Sequence, residues 1–73
     1  MMVSVKNMAE KPLNREVIFE FQPVGNIMRV TAMDVESMTE ITIQCPVSAG
    51  EEVFKKNGLM KLEYVLRKKG IIT

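Results

Sequence analysis

The chain has no histidine, no tryptophan and a single cysteine, and it holds only three phenylalanines and one tyrosine among its 73 residues. Each shortage closes something off. Without histidine, no side chain titrates near neutral pH in its ordinary state, so the usual general base is missing and no catalytic site is expected. One cysteine cannot form a disulfide within the chain, and with neither a histidine nor a second thiol no metal site is expected. A net charge of +1 gives no whole-chain bias towards nucleic acid or membrane. The apolar runs fall far short of the roughly 20 residues of a membrane span. Met1 to Val5 is too short for the apolar region of a signal peptide. A free thiol suits a reducing compartment. These absences predict a cytoplasmic, non-enzymatic protein with no cofactor, no metal and no membrane partner.

They also leave a stability problem. A chain of 73 residues makes one small domain, which buries only about 60% of the surface its unfolded form exposes. Domains of this size lean on disulfides, metals or oligomerisation. With the first two closed off, oligomerisation is the device that remains.

Residues 1–15 show no clear period and include Lys6, Asn7, Glu10, Lys11, Pro12 and Asn14. They read as a flexible N-terminal arm, with a single domain over 16–70. From Glu16 the pattern alternates: Val17, Phe19 and Phe21 on one side, Ile18, Glu20 and Gln22 on the other, as in a half-buried strand. Pro23-Val24-Gly25-Asn26 is turn chemistry. A second strand runs from Ile27 to about Met33, and Asp34 to Met38 is a polar loop in which Asp34 can bond the backbone ahead of it. Thr39 to Cys45 alternates again until Pro46, which cannot donate to a ladder. Closing the first hairpin with Gln22 opposite Ile27 pairs Phe21 with Met28, Phe19 with Val30 and Val17 with Ala32, and puts Glu20 opposite Arg29. Pairing Ala32 with Ile41 brings Val30 to Ile43 and Met28 to Cys45. The apolar sides coincide in both hairpins, and a one-residue slip would break both matches. The fold class is therefore α+β: a three-stranded antiparallel meander followed by one C-terminal helix, a βββα order.

That helix is expected from about Ser48 to Lys69. Ser48, with Glu51 three residues on, has the spacing of a capping box. Glu51 and Glu52 suit the positive end of the helix dipole and would repel a phosphate, so Ser48-Ala49-Gly50 reads as a helix start. Gly50 is explained by close approach of helix and sheet, and Gly70 reads as the residue that ends the helix. At about 100° per residue, Phe54, Gly58, Leu62, Val65 and Leu66, with Leu59 at the edge, make a core stripe. Val53, Asn57, Met60 and Tyr64 fall on another side. One stripe is enough for a helix on a single sheet. The second is accounted for either by cover, from a wide core or from residues 1–15 folding back, or by a subunit or protein-partner contact, to which tyrosine is well suited. A kink at Gly58 would change these angles.

Six of the ten basic residues, Lys55, Lys56, Lys61, Arg67, Lys68 and Lys69, lie on this helix. Cations favour a helix C-terminus, and the six point in several directions. They make a weak nucleic-acid binder the alternative to an interaction module. The βββα order resembles the latter part of double-stranded-RNA-binding domains, which carry a lysine cluster at the start of the last helix. The matching positions here hold Ala49, Gly50, Glu51 and Glu52. Phe19 and Phe21 belong to the core face and are not available to stack bases. Cys45 alternates in phase with Ile41 and Ile43 and reads as a small buried apolar residue.

Three stretches carry a family likeness: EVIFEFQPVG, ITIQCPVSAGEE and LMKLEYVLRKK. Over residues 16–69 the chain resembles a family of short, uncharacterised alphaproteobacterial proteins classed as a domain of unknown function. The resemblance implies a bacterial cytoplasmic setting and no activity. The function expected is a small non-catalytic protein–protein interaction module that self-associates through the helix.

Overall fold

The computed structural model describes residues 15–73 and, by their backbone, residues 2–6. Four strands, β1 (Met2–Lys6), β2 (Glu16–Val24), β3 (Ile27–Asp34) and β4 (Thr39–Pro46), form one antiparallel sheet in the order β1-β2-β3-β4. A short 3₁₀ turn, Val47–Ala49, leads to the single helix α1 (Glu51–Lys68). The expected antiparallel meander followed by one helix is present, extended by a strand at its free side. Met2–Lys6 pair with Glu16–Glu20, the register setting Val3 opposite Phe19 and Val5 opposite Val17. This corrects the expectation of a loose arm over those five residues. Residues 1 and 7–14 of the proposed arm lie outside the described residues, and its last residue, Arg15, is described and half-buried.

The second hairpin has the register expected from its apolar pattern, with Ala32 opposite Ile41, Val30 opposite Ile43 and Met28 opposite Cys45. The first is shifted by two residues. Val24 pairs with Ile27, Phe21 with Val30 and Phe19 with Ala32, and Arg29 faces Gln22 where Glu20 was expected. The turn is Gly25-Asn26 alone. Gly25 has φ 61° and Asn26 stays outside the positive region, the φ signs of a type II′ turn, whose twist suits a hairpin. Pro23 is tolerated within β2 because β1 reaches only to Glu20, so no ladder bond is asked of its missing N–H. A two-residue shift keeps every side chain on its own face, and the core is unchanged by it.

That core is Val17, Phe19, Phe21, Val30, Ala32, Ile41 and Cys45 from the sheet, with Phe54, Leu62 and Leu66 from α1. Leu59 and Val65 pack half-buried at its edge. Phe21 meets Phe54 edge-on at 5.7 Å and lies 6.1 Å from Phe19, separations at which aromatic pairs attract. The helix is continuous through Gly58.

The helix start differs from the capping box. Neither the 3₁₀ turn nor α1 has a side-chain cap, and Gly50 is the residue that precedes α1. Ser48 lies inside the 3₁₀ turn, so it is not placed to cap α1. Gly50 takes φ 96°, ψ 160°, a region open essentially to glycine alone, and a Cβ there would meet nothing within 4 Å. The need for glycine is conformational, and the close approach expected at Gly50 occurs instead at Gly58. The other end is as expected. Gly70 has φ 77°, its N–H donates to Arg67 O and that of Ile71 to Leu66 O, the paired bonds of a Schellman motif.

Candidate interaction surface

The core stripe of α1 seats Phe54, Gly58, Leu62 and Leu66 against the sheet. Helical spacing then carries Val53, Asn57, Met60 and Tyr64 roughly 150° round the helix, to the side facing away from the sheet. Val53 is 38% exposed, Met60 58% and Tyr64 54%, and Asn57 is exposed beside them. All four residues expected to form an interface are brought together on one open helix face.

The six basic residues are divided. Lys55 pairs with Glu51 at 3.0 Å and Arg67 with Glu63 at 2.7 Å, both one turn apart along the helix. The Nζ atoms of Lys61 and Lys68 lie 5.5 and 5.7 Å from the centre of the Tyr64 ring, within cation–π range. Lys56 and Lys69 are exposed. The tyrosine thus stands beside two cations, on the same face as Met60.

A second cluster was not expected. Asp34 is completely buried at the far end of the sheet's inner face. Arg15 grips it with both arms, Nε donating to Oδ1 at 2.8 Å and Nη2 to Oδ2 at 3.0 Å. The Ser37 N–H and hydroxyl both donate to Oδ2, and Thr39 N–H donates to Ser37 Oγ. Met38, at φ 61°, completes the turn by donating to Asp34 O at 2.7 Å. Burial pushes the Asp34 carboxyl towards protonation, but Arg15 and Ser37 together hold its pKa below the ordinary 3.8. The Asp34 hydrogen bond raises that of Arg15. Among the described residues no buried side-chain nitrogen or oxygen lacks a partner, and Arg15 Nη2 also lies 3.5 Å from the exposed Glu36, so the cluster reads as a clamp that closes the end of the core.

The sign of its pH dependence follows. The folded carboxylate binds a proton only at a lower pH than the unfolded one. Its stabilisation is complete at neutral pH and is lost as pH falls below 3.8 through the folded value. Urea unfolding between pH 7 and 2 is expected to show the wild type losing stability more steeply than Asp34→Asn below pH 4, roughly where an ordinary aspartate titrates. Parallel acid limbs would exclude the clamp as the cause.

At the opposite end, Asn26, Ile27, Gln44, Cys45 and Pro46 line a hollow of about 290 Å³. Cys45 itself is buried, as its phase in β4 requires.

A family model described as a domain of unknown function, DUF6898, matches residues 14–69. The chain belongs to this family. The DUF6898 match takes in Arg15, strands β2 to β4 and all of α1, and leaves β1 outside. The clamp and the open helix face therefore both fall within the family's span. No curated protein and no solved structure matches the chain. Among the described residues no helix is long and apolar enough to cross a membrane.

Proposed function

We propose that this DUF6898 protein is a small, non-catalytic protein–protein interaction module that associates with copies of itself through the outer face of α1. One observation carries the reading. Val53, Met60 and Tyr64 are exposed together on a helix that already buries a complete apolar stripe in its own sheet. Folding of the described chain does not use this second stripe, and an exposed aromatic with methionine beside it has the composition of an interface core. The setting that accompanies this reading is the bacterial cytoplasm, where Cys45 stays a thiol.

The test is molar mass by light scattering behind a sizing column. A helix-face contact falls in the small class of interfaces, below about 1,200 Å² in total. A reversible dimer is therefore expected, populated at high concentration and lost on dilution. Tyr64→Lys is expected to leave a monomer with the same helicity. A wild-type monomer at every concentration would overturn the reading.

A weak nucleic-acid contact along the basic C-terminal half of α1 is the second reading, favoured by two cations, Lys61 and Lys68, beside the exposed Tyr64 ring, since single-strand sites combine basic and aromatic side chains. Against it, Glu51 and Glu63 already engage Lys55 and Arg67. Only this reading predicts retention on heparin or RNA that falls steeply with salt.

A further inference from the structure

The geometry points to an antiparallel, two-fold pairing of α1 with α1 of a second copy, with Val53 against the partner's Tyr64 and Asn57 against the partner's Met60. This rests on the self-association proposed above and goes further by fixing its direction and register. The open stripe advances from Val53 by four residues, then three, then four, ending at Tyr64. That is the d-a-d-a spacing of a helix-pairing seam. It reads the same in both directions about a centre between Gly58 and Leu59. A helix laid antiparallel on its own copy therefore matches the stripe along its whole length, and does so isologously, as a two-fold contact must.

The charges choose between the two directions. On one flank of the seam stand Lys56 and Glu63, exposed and half-exposed. In an antiparallel pair these positions face each other, so Lys56 meets the partner's Glu63 and Glu63 meets the partner's Lys56. Glu63 already accepts from Arg67 at 2.7 Å and has room for a second donor. Lys56 has no acidic partner in its own chain among the described residues. The antiparallel arrangement also sets the acidic first turn, Glu51 and Glu52, beside the basic last turn, Arg67 and Lys68, and opposes the two helix dipoles. A parallel pair would set Glu63 against the partner's Lys68, but it would also set Lys56 against the partner's Lys61 and bring like helix ends together, acidic with acidic and basic with basic. The antiparallel direction has complementary charge at each of these places, and the parallel one has like charges at two of them.

The experiment uses the full chain on a Cys45→Ala background, with folding checked by circular dichroism. Val53→Cys and Tyr64→Cys proteins are oxidised separately and as an equal mixture in a glutathione buffer. The antiparallel register predicts a mixed Val53–Tyr64 disulfide and little cross-linking of either protein alone, because in that register the two copies of residue 53 lie roughly 16 Å apart along the axis at about 1.5 Å per residue. Disulfide formation by Val53→Cys alone would overturn the antiparallel pairing and leave self-association standing. A dimer that cross-links in none of the three samples would remove α1 as the contact. A monomer throughout would remove both this inference and the reading beneath it. Charge substitution gives an independent arm. Lys56→Glu is expected to weaken the dimer about 3- to 10-fold, the scale of exposed ion pairs counted twice by symmetry, and Lys56→Glu with Glu63→Lys to restore it. A tighter dimer for Lys56→Glu alone is the signature of the parallel pair and would overturn the inference.

Discussion

Asp34→Ala is expected to destabilise the domain by about 3–5 kcal/mol, the usual consequence of removing one member of a buried ion pair. Asp34 has no solvent exposure and Arg15 little, 0% and 17% of their side chains. Four donors converge on this one carboxylate, two from Arg15 and two from Ser37. Deleting it leaves the guanidinium only the exposed Glu36, 3.5 Å away, and loosens the β3–β4 turn, where the Ser37 N–H loses its acceptor and the Ser37 hydroxyl keeps only Thr39 Oγ1. A domain this small has roughly 4–11 kcal/mol of stability in total, so the variant would stand close to unfolding. Urea midpoints measured at pH 7 check this. The double substitution Arg15→Met, Asp34→Leu should recover part of the loss, because apolar side chains in place of a buried pair leave no charge unmatched. It should not recover all of it, since the Ser37 link to the turn is also gone. A cost below about 1 kcal/mol for Asp34→Ala would place the pair with ordinary surface salt bridges and refute the clamp.

The clamp also shows what the sequence disclosed and what it withheld. The apolar rows of β2, β3 and β4 are Val17-Phe19-Phe21, Met28-Val30-Ala32 and Ile41-Ile43-Cys45, and strict alternation made all three legible. Arg15, Asp34 and Thr39 each continue one of those rows by two residues. Their phase puts all three on the inner face, and Thr39 falls within the strand read from 39 to 45, but the polarity of Arg15 and Asp34 argues for arm and loop. With Arg15 left in the arm, its match to Asp34 could not be seen, although the expected register itself set the two opposite each other. The first hairpin was misplaced by two residues for a related reason. Proline at position 23 suggested a turn, and only the end of β1 at Glu20 explains why a strand can carry it. β1 was missed because five residues, with Val3 and Val5 alternating against Ser4 and Lys6, are too few to stand out. Its pairing with β2 is non-local information. The α1 face was legible because helical spacing is local, and the exposure of Val53, Asn57, Met60 and Tyr64 agrees with it. The cap at Ser48 failed because the spacing of a capping box says nothing about Gly50, whose φ of 96° divides the 3₁₀ turn from the helix.

Gly58→Leu is expected to cost about 3 kcal/mol or more, at or beyond the upper end of ordinary overpacking, while Gly58→Ala should change stability by no more than about 1 kcal/mol. The contrast comes from the space beneath the helix. A Cβ at position 58 would lie 3.1 Å from Phe19 Cε1, 3.5 Å from Val30 Cγ1 and 3.7 Å from Ala32 Cβ. Alanine there gains about 1 kcal/mol of helix propensity over glycine and gives much of it back by displacing the Phe19 ring, which has no exposed surface and stands against Phe21. Leucine adds three more carbons in the same direction, against Phe19, Val30 and Ala32, all at 0% exposure. No single rotamer change makes that room, so α1 must lift or turn on the sheet. Thermal unfolding by circular dichroism separates the two variants, and a Gly58→Leu protein with an unchanged midpoint would show that Gly58 does not set the helix–sheet distance. The same seating fixes which residues α1 turns outward. Helical geometry ties Val53, Asn57, Met60 and Tyr64 rigidly to the stripe that includes Gly58, so the seating of one face on the sheet is what turns the other face outward.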